Sequence, residues 1–152
     1  MRYVALFGFI VLSFGAAALG GSVTDTQGWY EELVKPSWNP PGWVFAPVWT
    51  VLYAMIAFAG WRLYDIKGLH PAHGLWLGQL ALNALWSVLF FGQHLILWAF
   101  VEILVLLAAI VATIAAFGRE DRLAALLLVP YALWVTFASA LNGTLLSLNG
   151  PG

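Results

Sequence analysis

The sequence predicts an all-α membrane protein, a bundle of five transmembrane helices. The first reason is composition. Of 152 residues, 62% are hydrophobic and 9% charged, with a mean hydropathy of +0.89, whereas a soluble domain carries about 25% charged residues. The second is length: five apolar runs reach the roughly 20 residues that a helix needs to cross a bilayer. The third is spacing. All but one of the connectors between runs are short, so neighbours must run antiparallel in one compact bundle with no separate soluble domain.

The first span covers residues 3–22. Arg2, the apolar run and the small residues Ala16 to Gly21 have the look of a secretory signal, whose cleavage would leave four spans. The run is long for a signal, and a retained helix is expected. Residues 23–42 form the long connector. They hold Trp29, Trp38, Pro36, Pro40 and Pro41. Proline fixes φ and removes backbone donors, so this segment can keep its shape without a hydrogen-bond ladder. It suits a lid over a pocket for a flat apolar ligand. The second span, 43–64, tolerates Pro47 in its first turn. The third spans 72–91 and the fourth 95–117. The fifth, 122–146, contains Pro130, which should kink it or free a carbonyl.

Charge gives orientation and excludes partners. Arg2, Arg62, Lys67, Arg119 and Arg122 fall on one side of a five-span chain and Lys35 alone on the other. The basic side is expected inside, which favours an inner, plasma-type membrane with the Trp/Pro connector outside. A net charge of −1 makes nucleic acid an improbable partner, and the absence of cysteine removes disulfides, thiolate catalysis and Cys-ligated metal.

No nucleophile elbow, HExxH or phosphate loop is present. His70 and His73 share a helix face but sit at the start of the third span, where interfacial polar residues are favoured over a metal site; His94 reads the same way. No metal site is therefore expected. No histidine lies at the middle of a span. That leaves Met55 and a few tyrosines as axial candidates, so a tightly ligated haem is not expected, whereas a metal-free tetrapyrrole needs no such ligand. Glu102 and Asn83 are the costly intramembrane residues. Glu102 is either functional or paired with a facing indole, Ser or amide. Asn83 either bridges helices or faces a ligand, with Trp86 on its face. Gly74 and Gly78 (GLWLG, extended by Ala81), and Gly8 and Gly15 in the first span, permit close helix approach within the bundle or across a dimer.

Longer motifs carry more information. WYEELVKPSWNPPGWVF at 29–45, WTVLY at 49–53, QLALNALWSVLFFG at 79–92, WAFVEILVLL at 98–107 and VPYALWVTFASALN at 129–142 together resemble the TspO/MBR family, which includes the translocator protein (peripheral-type benzodiazepine receptor) and the bacterial tryptophan-rich sensory proteins. The resemblance implies a five-helix membrane bundle, usually a homodimer. It implies a pocket for porphyrins such as protoporphyrin IX and for isoquinoline carboxamide or benzodiazepine ligands, with no tightly bound cofactor. Carried onto this chain, the ligand-binding residues are Tyr30, Pro40, Trp49, Tyr53, Asn83, Trp86, Trp134 and Ala138. Trp49 and Trp134 match the pair assigned to light-dependent porphyrin breakdown; whether that is an enzymatic activity stays open. The stretch LNGTLLSLNGPG lacks the Tyr and basic residue of the animal cholesterol motif, so cholesterol binding is doubtful and a bacterial-type member is expected. Membrane lipids are the surrounding partners, and the resemblance keeps an outer membrane open as the alternative location, since some relatives reside in outer membranes. Rival readings are a transporter of tetrapyrroles or lipids, which would be unusual without internal repeats, and a regulatory protein whose ligand state a partner reads.

Overall fold

The computed structural model describes residues 1–152, which form helices and no strands. Helix α1 (Arg2–Val23) ends where the Thr24 hydroxyl donates to the Gly20 carbonyl at 2.8 Å. The connector carries a single-turn helix, α2 (Trp29–Glu32), entered through Gly28 at φ 63°. A 3-10 turn at Gly42–Val44 leads into α3 (Phe45–Lys67). Pro47 lies in the first turn of α3, where its missing N–H costs nothing. Helix α4 (Ala72–Ser87) runs on as one π turn, Val88–Gly92, and α5 (Ile96–Gly118) follows. The fifth span is two helices, α6 (Arg122–Leu127) and α7 (Val129–Asn149). The break at Leu128 is the kink expected of Pro130, which cannot donate to the Leu126 carbonyl. The resulting five apolar spans are long enough to cross a membrane.

Around the bundle, α1 packs on α3 and α4, α4 on α5, and α5 on α6 and α7. Helix α3 meets α6 closely but barely touches α7. The two halves of the bundle therefore differ. At the end holding the α5–α6 link, the interior is filled by Trp76, Leu63, Phe117, Leu128 and Ile110. Gly60 permits the closest approach there: a Cβ at that position would lie 2.7 Å from the Trp76 ring and 2.9 Å from Phe9. Its carbonyl takes the Nε2 hydrogen of His73 (3.0 Å), and His73 Nδ1 accepts from the His70 N–H (3.1 Å). His73 is thus a satisfied core residue, and no group of metal-ligating side chains forms. At the other end, under the connector, the helices enclose a cavity.

The cation-rich end is closed by ion pairs. Arg2 meets Asp65 at 2.7 Å, Arg62 meets Asp121 at 2.5 Å, and Lys67 meets Glu120 at 3.3 Å. Asp121 also caps α6 by accepting from the Ala124 N–H at 2.9 Å. The Arg62 guanidinium holds the Asp121 carboxyl below the usual carboxylate range. A depressed folded value means that this pair stabilises fully above the ordinary carboxylate pKa and is lost as pH falls through the lower one. Acidification into that window is expected to loosen α6 from α3. Hydrogen exchange of the α6 amides measures this, and Asp121→Asn should remove the pH dependence.

The GLWLG pair faces outward. Gly74 and Gly78 are exposed, as are Gly8 and Gly15, and a Cβ at any of the four would meet nothing within 4 Å. Their use inside the bundle is thereby eliminated.

Candidate functional site

The cavity measures about 430 Å³ and is walled by α1, α3, α4, α5 and α7 under the connector. That size is ordinary for a small-molecule site, as is its largely apolar lining with a few polar groups. Of the residues expected to bind ligand, Tyr30, Trp49, Tyr53, Asn83, Trp86, Trp134 and Ala138 all line it. Pro40 does not. It lines a shallow polar hollow beside the mouth, with Lys35, Asn39 and Trp43. The extended backbone at Pro41 (φ −59°, ψ 145°) carries the chain outward, and Gly42 is the residue that returns to the cavity wall.

Aromatic rings make most of the wall. Trp49 and Trp134 face each other at 6.4 Å between centroids and 90° between planes. Trp49 also leans on Tyr53 at 5.5 Å, and Trp134 on Phe137 at 5.5 Å. Opposite, Trp86 stacks on Phe90 at 5.1 Å and 17°. The π turn lets the consecutive Phe90 and Phe91 both reach the cavity. Among the indoles, those of Trp61, Trp76 and Trp86 donate to protein acceptors. Those of Trp49 and Trp134 do not, so both N–H groups stay free at the cavity wall.

Tyr53 and Asn83 begin a polar chain that runs from the cavity wall into the bundle interior. The Tyr53 hydroxyl donates to Asn83 Oδ1 at 2.7 Å, and Asn83 Nδ2 donates to the Tyr131 hydroxyl at 2.7 Å. That hydroxyl donates onward to Gln79 Oε1 at 2.6 Å, and Ser13 ties α1 to the Tyr53 carbonyl at 2.7 Å. Asn83 therefore bridges α3, α4 and α7, and it also lines the cavity. Trp86 is held by Asn142, whose Oδ1 accepts the indole hydrogen (3.0 Å) while Nδ2 donates to the Ile96 carbonyl (3.2 Å). Above, burial pushes the Tyr30 phenol up, its bond to Asn39 pulling the other way.

Gln79, Tyr131 and Asn142 were not singled out from the sequence. Helical spacing held the clue: Gln79 precedes Asn83 by four residues, Tyr131 precedes Trp134 by three, and Asn142 follows Ala138 by four, each pair sharing a face. The contribution of α1 (Phe14, Ala17, Gly20) was also missed.

Glu102 has neither the indole, hydroxyl nor amide partner considered for it. Both carboxyl oxygens are buried without a hydrogen bond, and the residue is not on the cavity wall. Removing an unpartnered buried polar group recovers its desolvation cost, about 1–3 kcal/mol. Glu102→Met is expected to raise the melting temperature in detergent, and a fall would show that the acid has a stabilising partner in the membrane.

Comparison with known proteins agrees with this geometry. The model of the TspO/MBR family matches residues 9–148. A tryptophan-rich sensory protein from Cereibacter sphaeroides is 38% identical over 145 residues, covering 95% of this chain and 92% of its own. The tryptophan-rich protein TspO of Chlorobaculum tepidum is 42% identical over 147 residues, covering 92% and 91%. The human translocator protein is 36% identical over 148 residues, covering 92% and 87%. With a lengthwise match, five spans and an aromatic cavity under a Trp/Pro connector, this chain belongs to the TspO/MBR family of integral membrane proteins.

Proposed function

We propose that the protein is a membrane receptor or sensor for porphyrins, protoporphyrin IX foremost, and that isoquinoline carboxamide and benzodiazepine-type molecules occupy the same cavity. The observation that carries this reading is the pair of free indole N–H groups, Trp49 and Trp134, set at right angles in a wall of aromatic faces. Those N–H groups can orient a carbonyl, and indole and phenol faces can stack on a planar ring system. The macrocycle would sit between the Trp49/Trp134 wall and the Trp86/Phe90 stack. Its carboxylate arms would reach the hollow lined by Lys35 and Pro40 at the mouth. No protein metal ligand is needed for a metal-free porphyrin.

On this reading, illumination of the bound porphyrin produces reactive oxygen against two electron-rich indoles. Trp49 and Trp134 are then participants in porphyrin photo-oxidation, with the protein as scaffold. Two copies pairing through the outward stripe of Gly74, Gly78 and Ala81 give a homodimer, since small residues let helix backbones meet closely in lipid. The cation-rich end lies on the inner side of a bacterial plasma membrane.

A bulky side chain at the cavity wall tests the site. Ala138→Trp is expected to keep the melting temperature near that of the parent while abolishing saturable quenching of Trp fluorescence by protoporphyrin IX. Undiminished binding in that variant would place the porphyrin elsewhere.

A further inference from the structure

The segment 25–41 roofs the cavity and is joined to the bundle by apolar packing of Trp29, Tyr30 and Leu33 and by one polar tie. Trp29 stacks on His94 at 4.1 Å and 10° and meets Phe90 edge-on at 5.5 Å, Tyr30 meets Phe90 and Phe91 at 6.3 and 5.5 Å, and Trp38 meets Phe137 edge-on at 5.7 Å. One further tie is polar. Asn149, the last residue of α7, accepts the Val34 N–H on Oδ1 at 2.8 Å and donates from Nδ2 to the Val34 carbonyl at 2.8 Å. One amide side chain thus reads both backbone groups of one lid residue, as a neighbouring strand would. Hydrogen bonds within the segment are local ones, such as Tyr30 to Asn39 and Lys35 to Glu31 and Leu33. The two Asn149 bonds are the lid's only hydrogen bonds to helices α3 to α7.

The clasp is placed to control the cavity. Asn149 is itself anchored, its Nδ2 also donating to the Leu145 carbonyl at 3.0 Å. Leu145 belongs to the cavity wall. On the lid side, Val34 follows the C-cap of α2, the helix that holds Tyr30 over the mouth. Releasing Val34 from Asn149 removes the polar tie beside α2 and leaves the Tyr30 ring held over the cavity by apolar contacts such as those with Phe90 and Phe91. Val34 is 58% exposed, so water competes for both bonds, and the clasp can open locally without unfolding the bundle.

We propose that Asn149 is the latch of the lid, a positioning residue whose two bonds to Val34 set how fast ligands enter and leave the cavity. The ligand part of this inference rests on the porphyrin-binding reading above; the latch itself does not. While the closed lid predominates in both free and bound protein, raising its opening equilibrium raises association and dissociation rates by the same factor and leaves Kd nearly unchanged.

The test combines stopped-flow protoporphyrin IX exchange with hydrogen exchange of the α2 amides in ligand-free protein. Asn149→Ala is expected to speed both rate constants and α2 amide exchange by about tenfold, the order implied by losing two neutral hydrogen bonds, with the melting temperature held. The chain has no cysteine, so Val34→Cys with Asn149→Cys can be joined by a short thiol crosslinker. Uncrosslinked, the pair should behave like Asn149→Ala; crosslinked, it should exchange ligand more slowly than the parent. Unchanged rates in Asn149→Ala, or weaker affinity together with a general loss of melting temperature, would overturn the latch. If the parent does not bind protoporphyrin IX, the porphyrin reading fails, and α2 exchange still decides: faster exchange in Asn149→Ala upholds the latch and equal exchange removes it.

Discussion

Asn83→Ala is expected to lower both stability and ligand affinity more than any other single change in the cavity. The side chain makes two interhelical bonds, to Tyr53 and Tyr131. Such bonds contribute about 0.6 kcal/mol on average in membrane proteins, because the membrane-embedded reference state also finds partners. The loss here is larger. Truncation leaves the Tyr53 hydroxyl without its acceptor and the Tyr131 hydroxyl without its donor, deep between α3, α4 and α7, at about 1–3 kcal/mol for each buried group left unpaired. The cavity wall loses its shape with them. A drop in melting temperature of several degrees and a more than tenfold rise in Kd for protoporphyrin IX are the expected readings. Tyr131→Phe should show a weaker form of the same result, since Asn83 keeps its bond to Tyr53. An Asn83→Ala protein with parental affinity would mean that the polar chain holds helices together without shaping the cavity.

The second large effect is photochemical. Trp49→Phe combined with Trp134→Phe is expected to keep the fold and abolish any light-dependent porphyrin product. Each phenylalanine fills most of the space of the indole, and neither indole N–H is bonded within the protein, so no buried partner is orphaned. What disappears is the pair of electron-rich rings 6.4 Å apart. Absorbance of the porphyrin bands under illumination, with helicity by circular dichroism alongside, reads both halves. Product formation at the parental rate would remove these indoles from the mechanism while leaving the binding site intact.

Much of this arrangement could be read from residues alone, and what could not has identifiable causes. Span lengths and short links are local properties, so the five helices and the break before Pro130 were predictable. The family motifs placed Trp49, Tyr53, Asn83, Trp86, Trp134 and Ala138 together, and the structure sets all of them on one cavity. Partner choice is tertiary, and there the sequence was silent. Nothing local tells Tyr131 to accept from Asn83 and donate to Gln79, or Asn142 to hold Trp86. Pro40 lines the hollow beside the cavity instead of its wall, because a proline pair specifies an extended path but not its direction. Glu102 was open between a functional role and a partnered one, and no hydrogen-bond partner faces its carboxyl oxygens. Asn149 lies beyond the span expected at 122–146 and acquires meaning through Val34, 115 residues away.

The central claim is that one aromatic cavity binds porphyrin. An equilibrium titration of protoporphyrin IX against the purified protein in the dark, followed by intrinsic Trp fluorescence, tests it most directly. The predicted result is saturable quenching with one porphyrin per chain, competed by an isoquinoline carboxamide. Quenching that rises linearly without saturation, matching partition into protein-free detergent micelles and indifferent to the competitor, would contradict it.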